Sequence, residues 1–221
     1  MKRLFAAFTL LLLITLSVNL LAQDVPVFQG YLTMSTEVVG GDLSAAERAQ
    51  AETTIKMTYG IDVIKQESEN VMGSNTMIVF EDSMIMLTQG MAFGAGKEAM
   101  KKMFGGGEEG DDEEKAEINY ISESKEILGV ECKKAEITFQ EKLIIVYYND
   151  KYTVAEFMRE PYFKQLNGLA MEYIVPGENG EEIVVKATEF KPKKKMKPKA
   201  FEVPAGTEVL TLEQLRSQMG G

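Results

Sequence analysis

The sequence predicts a mainly β (α+β) fold: one long, antiparallel, strongly curved sheet, or an unclosed β-barrel, with a few short helices on its concave side. Three observations carry this. Apolar and polar residues alternate with period two in one segment after another, the mark of strands with one buried face. Glycine, proline and asparagine punctuate these segments at short intervals, as hairpins require. The segments number nine to eleven, too many for a meander to stay flat with its edges and inner face uncovered.

In chain order, residues 28–38 open the pattern, with Phe28, Leu32, Met34, Thr36 and Val38 facing one way. Gly40 and Gly41 end this strand, and residues 44–51 form a short surface helix or a decorated loop. Thr53, Ile55, Met57 and Tyr59 alternate in a second strand; Gly60 turns the chain into a third, residues 61–67, with Ile61 and Val63 inward. Residues 76–80 and 84–88 flank Glu81, Asp82 and Ser83 as a hairpin. Residues 90–115 break the rhythm. Gly90, Gly94 and Gly96 read as hinges around Met91 and Phe93, residues 97–104 as a short helix, and the acidic run to Glu114 as a solvated segment.

Residues 117–122 resume the strands and lead into residues 127–150, the stretch that reads as the centre of the sheet. Its second half, residues 143–148, is apolar on both faces, as in a centrally buried strand. Its first half switches apolar face near Lys133 and Lys134, which a β-bulge there would reconcile. Thr153 and Glu156 have capping-box spacing, and Pro161 can start a second helical turn that ends by Gly168. Leu169, Met171, Tyr173 and Val175 then pair with Ile183, Val185 and Ala187 across a Pro-Gly-Glu-Asn-Gly turn. Residues 191–199 hold six lysines and two prolines, too charged for an inner strand. Residues 201–203 read as the last strand, residues 203–206 as a type I turn, and Thr211 as the start of a helix with Leu212, Leu215 and Met219 on one face.

Four short motifs in this order resemble an exported family of unknown function from Gram-negative, gliding-type bacteria. They are Leu128-Gly129-Val130-Glu131-Cys132-Lys133-Lys134, the strand end Val146-Tyr147-Tyr148-Asn149-Asp150-Lys151-Tyr152, the strand Leu166-Asn167-Gly168-Leu169-Ala170-Met171-Glu172-Tyr173, and the close Phe201-Glu202-Val203-Pro204-Ala205-Gly206. Val130 stands where that family has an aromatic residue and Ala170 where it has proline. The resemblance, over about residues 28–215, implies the fold of the periplasmic lipoprotein carriers, an unclosed barrel with helices under its concave face, and implies no catalytic residues.

The chain starts with Lys2 and Arg3, runs apolar over residues 4–21 and reaches the small residue Ala22, the three parts of a secretory signal peptide. Residues 1–23 therefore read as a cleaved leader, leaving no stable membrane span. Residues 24–221 read as one domain carrying the insert 90–115 and the lysine-rich segment 191–199, in a periplasmic or secreted protein. Loss of two basic residues takes the net charge from −10 to −12, which argues against nucleic acid as a partner. Cys132 is the single cysteine, so no internal disulfide forms, and within a strand it reads as core packing.

No histidine is present, which removes the commonest general base and metal ligand. The acidic run lacks the spacing of a calcium loop, and the glycines lack the ending of a phosphate-binding loop. No catalytic, cofactor or metal site is expected, and the protein does not read as an enzyme. Methionine is the enrichment that stands out, 14 in the chain. Met84, Met86, Met91, Phe93, Met100, Met103 and Phe104 are the candidate contacts for an apolar small molecule or lipid, with plain core packing as the competing reading. A non-catalytic binding protein is the expectation, with the segment around residues 91–104 as its lid. The alternative is an envelope adaptor acting through protein–protein contacts.

Overall fold

The computed structural model describes residues 25–88, 90–99, 116–177, 180–211, 214 and 217. The expected leader (1–23), the acidic run, the candidate contacts Met100, Met103 and Phe104, and the apolar face Leu212, Leu215 and Met219 lie outside them.

Twelve strands join one unclosed, curved sheet: β1 (Gly30–Gly40), β2 (Thr54–Tyr59), β3 (Val63–Asn70), β4 (Gly73–Phe80), β5 (Ser83–Thr88), β6 (Met91–Gly96), β7 (Glu117–Ile127), β8 (Val130–Phe139), β9 (Lys142–Asn149), β10 (Leu169–Pro176), β11 (Glu181–Pro192) and β12 (Val209–Thr211). Their spatial order is β12-β6-β5-β4-β3-β2-β1-β11-β10-β9-β8-β7. The first six strands are thus a meander, as their short turns predict. β1 and β11 close the two halves together and form the centre. Both are long, and they pair from Gly30 with Pro192 to Gly40 with Glu181. Phe28, Leu32, Met34 and Val38 are all buried, as the alternation of residues 28–38 predicts.

The central position expected for residues 127–150 is corrected: β8 and β9 are second and third from the β7 edge. Their apolar character on both faces has another cause. Both faces of this region are covered, Cys132 packing with Ile127 and Leu169 in one cluster, and Ala135, Ile137, Ile144 and Val146 with Phe163 and Leu166 in another. The register break falls opposite Lys133 and Lys134 but on the neighbouring strand, between Ile121 and Ser124 of β7. β8 stays regular, so Cys132 and Ala135 face opposite ways.

Other expectations change within the two segments that interrupt the strand rhythm. Met91–Gly96 is not a hinge region but β6, hydrogen-bonded to β5 and β12. A Cβ on Gly94 would meet Val209 Cγ1 at 3.4 Å, an ordinary contact, so β12 packs beside it without requiring glycine. Residues 201–203 are not a strand; Pro198–Phe201 is a turn of 3-10 helix, and the last strand is β12, parallel to β6 in an otherwise antiparallel sheet. The following turn comes one residue late, with Thr207 N–H donating to Pro204 O and Gly206 at φ 86°, the third position of a type II turn. Ile61 sits exposed in the β2–β3 turn rather than inward, and Val63 is buried on the opposite face of the sheet from Ile64.

Helix α1 (Ala45–Ala51) is the short surface helix of the two alternatives, started by a reciprocal capping box between Ser44 and Glu47. The box expected at Thr153 does not form. Its backbone instead exchanges hydrogen bonds with Pro26 O and Phe28 N–H, tying the N-terminal stretch to the β9–β10 connection. At Thr211, the expected helix start, Thr211 N–H donates to Gln214 Oε1 (2.8 Å) and Gln214 N–H to Thr211 Oγ1 (3.2 Å).

The β8–β9 turn places Gln140 and Glu141 both at positive φ, 49° and 60°. That is a type I′ hairpin, whose usual residues are Asn-Gly. The double substitution Q140N/E141G is expected to raise stability by about 1 kcal/mol, read as a higher urea midpoint at unchanged slope.

Candidate functional site

Pairing registers put a continuous row of side chains on one face of the sheet. Leu32 opposes Met57, Met57 opposes Gln66, Gln66 opposes Met77, Met77 opposes Met86, and Met86 opposes Phe93. With strands about 4.8 Å apart, these six positions span about 24 Å. A parallel row beside it runs Tyr59, Ile64, Val79, Met84 and Ala95. Met91, opposite Thr88, shares this face at the end of β6. Residues directly opposite across antiparallel strands share a face, so the methionines of neighbouring strands converge. Met84 is buried, Met57, Met77, Met86 and Phe93 are half-buried, and Met91 is exposed.

The β9–β10 connection, residues 150–168, lies over the β1–β3 end of this inner face. Two turns of 3-10 helix, Glu156–Met158 and Pro161–Phe163, give it shape. Arg159 binds it together, donating from Nε to Val154 O (2.8 Å), from Nη1 to Lys164 O (2.7 Å) and Leu166 O (3.1 Å), and from Nη2 to Thr153 Oγ1 (2.7 Å). Gly168 lets the chain rejoin the sheet: a Cβ there would lie 2.4 Å from Tyr148 Cδ2 and 2.7 Å from Asn149 O. Between connection and sheet remains a cavity of about 90 Å³, lined by Met34, Met57, Ile64, Met158, Phe163 and Tyr173 among others. It is too small for a drug-sized ligand, which takes about 300 Å³ or more. The usable part of the inner face is the row leading away from it.

Burial raises the phenols of Tyr59, Tyr162 and Tyr173, so all three are neutral at ordinary pH. Glu160 stands at the mouth of the cavity, still reached by water, and desolvation by the surrounding protein raises its carboxyl. A carboxyl raised on folding contributes stability that is present below its unfolded pKa of about 4.3 and lost as pH rises through the folded value. E160Q is therefore expected to match the parent near pH 4 and to be the more stable of the two at pH 7. Urea midpoints at both pH values check this; a constant gap would contradict it.

Of the ligand contacts expected from the sequence, the sheet brings Met84, Met86, Met91 and Phe93 onto one face. Met34, Met57, Met77, Met158 and Gln66 join them, although no local cluster of methionines marks these five. Met57 and Met77 do carry a signal, since Met57 shares strand parity with the buried Tyr59 and Met77 with the half-buried Val79; Met158 lies in a connection and carries none. Cys132 is fully buried, its Sγ 3.7 Å from Val130 O, and burial pushes the thiol up to about 11. It packs, and it is closed to disulfide exchange. Among the described residues no group of three or more His, Cys, Asp or Glu side chains could hold a metal ion, and no helix is long and apolar enough to cross a membrane.

Together these features describe a mainly β protein built on a single unclosed, curved sheet with a methionine-rich inner face; the unclosed sheet is the part that the lipoprotein-carrier resemblance implies. No family model and no curated protein matches the chain. Among solved structures it is similar to PNGF-II, at 14% identity and a TM-score of 0.45 over 86% of this chain and 32% of that one, so it spans about a third of that protein's length. It is also similar to the Mycobacterium tuberculosis lipoprotein LppX, at 6% identity and a TM-score of 0.39 over 76% of this chain and 89% of that one. LprF from Mycobacterium bovis gives 9% identity and a TM-score of 0.36 over 80% and 90%. Likeness at this level transfers neither ligand nor activity.

Proposed function

We propose that this is an exported, non-catalytic binding protein that holds a lipid or other elongated apolar molecule along the inner face. The observation that carries this is the half-buried row Met57–Gln66–Met77–Met86–Phe93, an apolar strip leading out from under the β9–β10 connection. Thioether side chains adapt to irregular apolar shapes at small cost, which suits a chain-like ligand of variable length. Gln66 gives the row one polar contact for an ester or hydroxyl. The part of the expected lid within Met91–Gly96 is a sheet strand, so ligand entry is along the row rather than under that segment. The test is native mass spectrometry of the mature protein purified from its own envelope fraction, followed by denaturing analysis of what is released. A bound mass of lipid size supports the reading; a mass equal to the bare chain, with no displacement of a fluorescent fatty-acid probe, rejects it.

One observation favours the adaptor alternative. β7 is an edge strand of eleven residues with nothing paired on its outer side among the described strands. Such an edge can accept a partner's strand, although the β7 bulge and its exposed Glu117, Glu123 and Glu126 limit which partners fit.

A further inference from the structure

The opposite face of the sheet carries a second cleft. Ile64 and Val79 face inward, so their neighbours Val63 and Phe80, themselves a cross-strand pair, face outward. The chain leaving β11 runs over them. Lys193 N–H donates to Gln29 O (2.8 Å) and Met196 N–H to Gln29 Oε1 (3.1 Å), which pins this run, and the Met196 side chain is buried beneath it. Phe201 then closes over Gly60, where a Cβ would come within 3.1 Å of its Cζ. What remains open is a cleft of about 440 Å³ with Ile61, Val63, Phe80, Met196 and Phe201 in its wall. That volume lies within the range of small-molecule sites.

The charge beside it has the opposite sign to the molecule. Lys193, Lys194, Lys195, Lys197 and Lys199 are all exposed on this run, and Lys195 lines the cleft itself. None makes an ion pair among the described residues, whereas Lys65, Lys133, Lys134 and Lys191 elsewhere each hold a carboxylate. The cleft wall itself holds Asp62 and Glu202 beside Lys195, and the excess of positive charge comes from Lys193, Lys194, Lys197 and Lys199 on the adjoining run, in a chain of net charge −10. Unpaired like charges crowded on one pinned segment repel one another unless an anion joins them.

We infer that this outer cleft binds an anionic amphiphile, its apolar tail against Val63, Phe80 and Phe201 and its phosphate or carboxylate head among the lysines. The site lies on the other face from the methionine row and stands apart from the function proposed for that row. Two sources share this chemistry, a free amphiphile and a lipid within a bilayer.

The test titrates the mature protein with monomeric dodecyl phosphate and, in parallel, with the neutral dodecyl maltoside, following backbone amide shifts. Vesicles of phosphatidylglycerol and of phosphatidylcholine form the second arm. Binding of the phosphate at least tenfold tighter than the maltoside, with shifts at residues 60–63 and 193–202, is the expected result. Preference for phosphatidylglycerol vesicles without monomer binding would assign the site to a bilayer lipid; monomer binding alone would assign it to a free amphiphile. The surface variant K195E/K197E/K199E should lose at least tenfold in whichever arm binds, while M77D/M86D leaves the response at residues 60–63 and 193–202 unchanged. Equal binding of neutral and anionic probes, shifts confined to the inner face, or no binding in either arm would overturn the inference.

Discussion

Phe28→Ala is expected to cost about 3–5 kcal/mol, a large part of the roughly 5–15 kcal/mol that holds a typical domain together. Phe28 is fully buried, and its ring meets three others: Tyr59 edge-on at 5.2 Å, Tyr152 edge-on at 5.3 Å and Phe190 stacked at 5.3 Å. Those rings belong to β2, to the β9–β10 connection and to β11, so one side chain joins both halves of the sheet to the cover over the inner face. Its backbone N–H also donates to Thr153 O at 2.8 Å. Removing the ring leaves a cavity bounded by strands that cannot collapse into it without breaking the β1–β11 register. Urea unfolding checks the size of the effect. A loss below about 1 kcal/mol would mean that the surrounding rings close the gap and that Phe28 does not join the halves. F28L, which keeps most of the volume, should recover much of the loss.

The second large effect concerns ligand. M77D/M86D places two carboxylates in the middle of the inner row, at positions that oppose each other across β4 and β5. Each lost apolar contact is worth about 1.5 kcal/mol, or roughly tenfold in affinity, and a carboxylate pressed against an apolar chain costs more. Because the two sites are direct neighbours their effects are not additive, and the pair is expected to weaken binding of a fluorescent fatty-acid probe by tenfold or more. Both side chains are half-buried, so the fold should survive with a lower urea midpoint. Unchanged affinity in a folded variant would remove the row as the site and leave the outer cleft and the β7 edge as the places to search.

How much of this is legible in the sequence depends on the range of the physics involved. Residues 28–38 reveal their buried face because alternation is a property of neighbours two apart in the chain, and both hairpins, 76–88 and 169–187, announce themselves through local turn residues. The identity of the inner-face methionines is half legible: Met84 and Met86 share parity, and so do Met91 and Phe93, but nothing local says that Met57 and Met77 complete the same row. That follows only from the registers of the strands between them. The centre of the sheet is easily mistaken because β9 is apolar on both faces, a signal that reports coverage and not position; an edge-proximal strand covered on both sides looks the same as a central one. β6 and β12 are hidden for a related reason. Gly94 and Gly96 weaken strand propensity, so β6 shows itself only through its pairing with β5, and a three-residue parallel strand has no period to detect, so β12 exists only through its long-range pairing with β6. Local sequence is thus enough to mark the strands that alternate clearly, where most turns fall and that chemistry based on histidine is absent. Strand order, the face that each connection covers and hence the places of the two clefts come from tertiary structure alone, because they depend on the free energy of pairing segments far apart in the chain, to which local periodicity is blind.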